Sequence, residues 1–254
     1  MKARTPNRYR KTGLAVVGTV GAMLTVWSVY AAAPVKITPE VASVADLTAE
    51  AHTMLTSVEQ MLASAESYNE RHDQLKQQAV QIAIFAQALT EHEGESPLKK
   101  SAPSLRNAGL ALARAKSYEE AGPVLPRLKE AMEGKISGTP AADAEWGTLA
   151  RAATLMHTMK ERSEAIRKGL RRPKDPDLES RNATAIALMI LAVHGDTQAV
   201  KNAADKPVWQ EMCLEVHGQM SLTAAAIKTR NSSAADHFRL GMEACDKCHQ
   251  KFKP

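Results

Sequence analysis

Aromatic residues are scarce in this chain: Phe, Trp and Tyr together make up 4% of its 254 residues. Sheets favour aromatic and β-branched side chains, whereas Ala, Leu, Met, Glu, Lys and Gln favour helices, and these helix formers are abundant here. The composition therefore argues against a sheet and predicts an all-α fold. The length allows one large domain or two small ones.

Acidic residues are absent from residues 1–33, which contain five basic ones. Taking these five from the 33 basic residues of the chain leaves 28, equal to the number of acidic residues. The remainder of the chain is therefore neutral overall. The formal net charge of +5 gives no indication of nucleic-acid binding.

The first 33 residues have the layout of an export signal. A basic stretch precedes residues 13–30, which carry no charge, and small residues follow, with Ala31 as the predicted cleavage point. The apolar run of about 18 residues also lies at the lower limit for a membrane-spanning helix. We expect either a cleaved signal or an N-terminal membrane anchor. Both place the body in the periplasm or on the outer face of the cytoplasmic membrane.

Apolar residues recur at spacings of three and four from residue 38 onward, which predicts a nearly continuous series of helices. The predicted helices cover residues 41–68, 74–89, 98–116, 118–132, 141–168, 176–193, 208–230 and 234–251. Gly134, Gly138 and Pro140 interrupt the series in the middle. A weak similarity between its halves favours a duplicated four-helix unit. We therefore predict two helical domains, residues 34–137 and 138–254.

The chain has only three cysteines, and two of them form a C-x-x-C-H sequence with Cys245, Cys248 and His249. On a helix, residues three apart share a face, so two sulfurs can reach both vinyl groups of one porphyrin edge. The next imidazole can then bind the iron. This is the attachment signature of c-type haem, and chance predicts roughly 0.001 such sequences here. We expect one covalent haem c, with His249 as its proximal iron ligand.

Three other kinds of site could use these residues. Cys213 could complete a Cys₃His zinc site, although the adjacency of Cys248 and His249 would strain tetrahedral geometry. A redox C-x-x-C of thioredoxin type expects a strand–helix context that is missing from the pattern. A disulfide between residues three apart within a helix has poor geometry. Haem attachment is favoured over all three.

The segment GMEACDKCHQKFK, residues 241–253, resembles the C-terminal signature of class II c-type cytochromes, the cytochrome c′ and cytochrome c556 family. The sequence PVW ending at Trp209 resembles a tryptophan found before that family's third helix. The resemblance covers residues 138–254 and implies an antiparallel four-helix bundle with haem near one end. A similar, haem-free helical bundle would precede it. The resemblance also implies that Lys253 is a basic residue near the haem.

Members of this family differ in what occupies the sixth coordination position of the haem iron. Electron-carrying members bind a methionine from the first helix, whereas cytochrome c′ leaves this position empty and binds small gases. AATLM at residues 152–156 resembles the first-helix pattern and indicates Met156 as the distal ligand, with Met159 and His157 as further candidates. Methionine at helical spacing also commonly fills core volume. His157 lies about 100° from Met156, so both cannot face the iron.

Charge differs between the two predicted domains. Residues 34–137 hold 11 basic and 14 acidic side chains, and residues 138–254 hold 17 and 14. A basic cluster in the second domain comprises Lys160, Arg162, Arg167, Lys168, Arg171, Arg172 and Lys174. It could form a solvated helix surface, steer an acidic redox partner, or contact the acidic first domain.

No acid–base pair or activated nucleophile is recognisable, so we predict a protein that is not an enzyme and has no catalytic residues. We expect an exported monohaem cytochrome that acts in one-electron transfer with redox proteins as partners. One alternative is a five-coordinate protein that binds nitric oxide or carbon monoxide. The other is a haem-bearing docking module of a respiratory complex, with the first half as the interaction surface.

Overall fold

The computed structural model describes residues 36–136 and 144–252. This part of the chain is all-α, as the composition predicts. Within it no β-strand forms, and Ile37 and His92 make an isolated bridge. The helices are α1 (Val44–Met61), α2 (Ala65–Glu91), α3 (Ala102–Arg114), α4 (Tyr118–Ala121), α5 (Val124–Met132), α6 (Ala152–Arg171), α7 (Pro176–Gly195), α8 (Lys206–Lys228) and α9 (Ala234–Phe252).

The prediction of one helix over residues 41–68 was wrong, because two helices meet there. Ser64 has extended backbone angles, and its hydroxyl accepts the backbone N–H of Ser67 at 3.1 Å, so it is the N-cap of α2. An N-cap of this kind satisfies a backbone donor that the first helical turn leaves unpaired. The hydrogen bond of Ser64 therefore starts a new helix at a point where the apolar spacing alone predicts that the first helix continues.

The predicted helix over residues 118–132 is also divided. Gly122 and Pro123 separate α4 from α5, because proline lacks the backbone donor that a continuous helix requires. The helix predicted from residue 141 instead begins at Ala152, whose N–H donates to the Asp196 carboxylate at 2.8 Å. Side chains distant in sequence thus set a boundary that local periodicity did not indicate.

The first half forms a closed set of helices around a buried core. Helix α1 packs on α2, α2 on α3 and α3 on α5, and α5 returns to α1. The core includes Phe85, which is fully buried. Gly109 allows α3 to approach α2 closely, because a Cβ there would lie 2.8 Å from the carbonyl oxygen of Ala79.

The second half packs α6 on α7, α7 on α8, and α8 on α9. Three hydrogen bonds from side chains to backbone carbonyls show that α7 and α8 are antiparallel. They run from Trp209 to Val193 at 2.9 Å, between His217 and Ala187 at 2.8 Å, and from Ser180 to Ala224 at 3.1 Å. Residue numbers rise along α8 as they fall along α7. Buried polar side chains therefore fix the register of this pair.

Ion pairs connect the two halves, and the chain from Lys36 onward forms one compact unit. Glu50 of α1 is 4% exposed and pairs with Arg162 of α6 at 2.9 Å and with Arg181 of α7 at 3.1 Å. Asp46, also on α1, pairs with Lys228 of α8 at 2.5 Å. Arg162 is therefore a member of the predicted basic cluster that contacts the acidic first half.

Three predictions concern residues outside the described ranges. They are the export signal or anchor over residues 1–33, the domain boundary between residues 137 and 138, and the role of Lys253. In the ranges that the structure describes, no helix has the length and apolar character needed to cross a membrane.

Candidate functional site

Helix α9 carries the C-x-x-C-H sequence in its last two turns. Its buried face consists of Ala234, Phe238, Gly241 and Ala244, which pack towards α8. Cys245 and Cys248 lie beside this face and are half-buried, whereas His249 is exposed. Both thiols therefore face the protein interior and the imidazole lies at its edge.

A cavity of about 490 Å³ extends from these residues into the space between α6, α7, α8 and α9. Its volume lies within the range of roughly 300–1,000 Å³ that is typical of small-molecule and cofactor sites. Most of its wall is apolar. The methionines that line it are Met156, Met159, Met212, Met220 and Met242.

The cavity separates α6 from α9. These two helices both line it, yet they are not packed closely on each other, in contrast to the other neighbouring pairs of the second half. We call this gap the α6–α9 seam. Lys160 of α6 and Asp246 of α9, both exposed, lie at its rim. The cavity therefore has an apolar interior and a charged edge.

The candidate distal residues lie on α6, which lines the same cavity as the α9 thiols. Met159 is buried and Met156 is half-buried, and both line the cavity. His157 also reaches its rim, but its side chain is 63% exposed and lies 3.7 Å from Glu161. The structure thus brings Met156 and Met159 together with the cysteines, and it leaves His157 on the solvated side.

The environment of the two thiols disfavours their thiolate forms. Burial, assisted by the nearby Cys248 and Asp246, raises the pKa of Cys245 to about 11, and burial also raises the pKa of the Cys248 thiol. All three cysteines are free. A thioredoxin-type pair needs the opposite environment, one that lowers a thiol pKa. The two thiols therefore do not have the environment of a thioredoxin-type redox pair.

Cys213 is buried in the cavity wall, and burial raises its thiol pKa as well. Among the described residues, no three His, Cys, Asp or Glu side chains are grouped as ligands for one metal ion. The described side chains thus do not assemble the Cys₃His zinc site. A haem iron takes four ligands from its porphyrin, so this finding does not bear on haem.

Sequence reasoning missed the aromatic contact that holds the end of α9. The Trp209 ring meets the Phe252 ring edge-on, with centroids 5.2 Å apart, and Lys251 pairs with Asp205 at 3.0 Å. The sequence of Trp209 and its neighbours carries only a resemblance to a family tryptophan. No local pattern indicates the contact of Trp209 with Phe252, because the two residues lie on different helices.

An apolar cavity with two thiols and an imidazole at one wall can hold a planar apolar group through thioether bonds. The methionines on α6 lie on a helix across the seam from α9 and can offer sulfur to a metal at the centre of such a group. Comparison of the chain with protein-family models, with curated proteins and with solved structures gave no significant match.

Proposed function

We propose that this protein is an exported monohaem c-type cytochrome of class II type that acts in one-electron transfer. The observation that carries the proposal is the position of Cys245 and Cys248. The C-x-x-C-H sequence lies at the end of a helix and opens onto a large apolar cavity. A random C-x-x-C-H on a solvated helix would have no such cavity beside it.

In this proposal α6 to α9 form the antiparallel four-helix bundle of the cytochrome c′ and c556 family, and the first half is a haem-free helical bundle. Cys245 and Cys248 form the two thioether bonds. His249, exposed at the end of α9, is the proximal iron ligand. The bound haem supplies an iron centre that cycles between ferrous and ferric states.

Met156 is the proposed distal ligand. It is half-buried on α6 and lines the cavity that the α9 thiols also line. Met159 is 7% exposed and is better placed to fill volume. The largely apolar wall and a thioether ligand from Met156 would both favour the ferrous state of a bound haem iron.

The location and the partners belong to the same proposal. Covalent attachment of c-type haem and the predicted signal or anchor over residues 1–33 both place the body outside the cytoplasm. One edge of the cavity is exposed beside His249, so an electron can leave there to a redox protein. We assign no enzymatic reaction and no nucleic-acid partner to the chain.

Haem staining after denaturing electrophoresis tests the proposal directly. The full chain, produced in a host able to attach c-type haem, should give a stained band with one haem per chain. The double variant Cys245→Ala, Cys248→Ala should lose the band. Cys213→Ala is the matched control, because it removes a thiol from the same cavity and should keep the band. A band that persists in the double variant would refute covalent attachment at this site.

A further inference from the structure

Arg162 connects α6 to three other helices. Its Nε and Nη2 donate to the side-chain oxygen of Gln81 on α2 at 3.1 and 2.9 Å. Its Nη1 donates to Asn182 on α7 at 3.0 Å, and Nη2 also donates to Glu50 on α1 at 2.9 Å. All three guanidinium nitrogens therefore make hydrogen bonds. A planar guanidinium group that is hydrogen-bonded at each nitrogen is held in one orientation.

Glu50 is the anion that holds the Arg162 side chain in this orientation. Its carboxylate is buried, and its second oxygen accepts a hydrogen bond from Nε of Arg181 at 3.1 Å. One buried carboxylate thus serves two largely buried guanidinium groups. Removal of that charge would leave two cations facing each other without an anion, which is strongly unfavourable in a buried site.

The rotation of α6 about its axis affects the wall of the cavity. Arg162 follows Met159 by three residues, which places the two side chains about 60° apart around the helix. Met159 lines the cavity, whereas Arg162 is directed to the first half. On the opposite side, the α6–α9 seam provides no close packing. The rotation of α6 is therefore set by α7 and by the contacts of Arg162.

We infer that Glu50, which belongs to the haem-free half, is a positioning residue for the α6 wall of the cavity. It acts through Arg162 and holds Met156 and Met159 in place. The inference rests on the proposed function, because the group that this wall would face is haem. It assigns the first half a specific task, which is to fix the distal side of a site that none of its residues in the range 36–136 lines.

The test is Glu50→Gln in the full haem-loaded chain. The glutamine keeps the size of the side chain and one acceptor oxygen but removes the charge. We expect haem staining to persist, the high-spin fraction in the absorption spectrum to rise, and carbon monoxide to bind several-fold faster. Amide hydrogen exchange in α6 should also become faster, while exchange in α8 should not change.

Asp46→Asn is the matched control. Asp46 also lies on α1 and also forms an ion pair between the halves, but its partner is Lys228 on α8. This variant should keep the wild-type spectrum, carbon monoxide kinetics and exchange in α6. Gln81→Ala provides a second variant, because it removes two hydrogen bonds of Arg162 and retains every charge. It should change the same quantities in the same direction by a smaller factor.

The outcomes separate the two proposals. The positioning role is refuted if Glu50→Gln has haem attached but shows unchanged carbon monoxide kinetics and unchanged exchange in α6. If Glu50→Gln does not fold, the same result with Gln81→Ala refutes it. If the wild-type chain takes up no haem, the proposed function is overturned, and exchange in α6 is compared between the haem-free chains. Faster exchange in the Glu50→Gln chain would still support the positioning of α6, whereas equal exchange would refute that role as well.

Discussion

Replacement of Trp209 by alanine should be one of the most costly single changes in the second half of the chain. The indole is 5% exposed, and its Nε1 donates to the carbonyl oxygen of Val193 at 2.9 Å. Its ring contacts Phe252 with an interplanar angle of 89°. One side chain of α8 thus joins the end of α7 to the last turn of α9, beside the C-x-x-C-H sequence.

The expected magnitude follows from these contacts. Truncation of a buried tryptophan to alanine costs about 3–5 kcal/mol of the free energy of unfolding. Trp209→Phe retains an aromatic ring against Phe252 but loses the hydrogen bond to Val193. A net hydrogen bond contributes about 1 kcal/mol, and the Val193 carbonyl still accepts the backbone N–H of Asp196 at 3.1 Å, so we expect a loss of about 1 kcal/mol.

Urea unfolding followed by circular dichroism measures the loss of stability in both Trp209 variants. Each should lower the urea concentration at the midpoint and leave the dependence of the free energy of unfolding on urea concentration unchanged. Trp146→Ala is the control, because that indole also makes one hydrogen bond, to Glu91 at 2.9 Å, but it is only half-buried and its partner is exposed. It should cost about 1 kcal/mol. If Trp209→Ala costs no more than Trp146→Ala, the anchoring role assigned to Trp209 is wrong.

Two further predictions concern the cavity and the effect of pH. Met156→Ala should convert the haem iron to high-spin and lower its midpoint potential, whereas Met159→Ala should mainly lower the free energy of unfolding, by about 2–5 kcal/mol. If the wild-type spectrum is already high-spin and Met156→Ala does not change it, the ligand assignment is refuted. Burial lowers the pKa of His217 below 6.5, so the unfolded chain binds this proton at higher pH than the folded chain. The free energy of unfolding should therefore fall as the pH drops below about 6.5, and His217→Asn should flatten this fall. An equal slope in that variant would exclude His217 as the cause.

The sequence was sufficient for the fold class and for most helices, because apolar spacing is a local property. It also indicated that the C-x-x-C-H residues and Met156 would share a site. The family resemblance provided this link between two helices about 90 residues apart, and the cavity places these residues together. The spacing by itself could not have done so.

Other features depended on contacts that no local pattern contains. The charge difference between the halves indicated that they could attract each other, but it did not single out Glu50 and Arg162 from the other charged residues. These two residues are 112 positions apart and meet only in the folded chain. The break at Ser64 was missed for a different reason. Serine is common within and between helices, and its capping role becomes evident only from its backbone angles.

The α6–α9 seam has a consequence for the cost of ligand entry. A ligand that enters between two packed helices must first break their contacts, and this reduces the net binding free energy. In the first half, such entry would have to separate helices that are packed on one another in a closed set. In the second half, α6 and α9 are not closely packed, so a planar group would enter between them without separating two packed helices. The seam therefore lowers the cost of entry for a large ligand relative to the closed set of the first half.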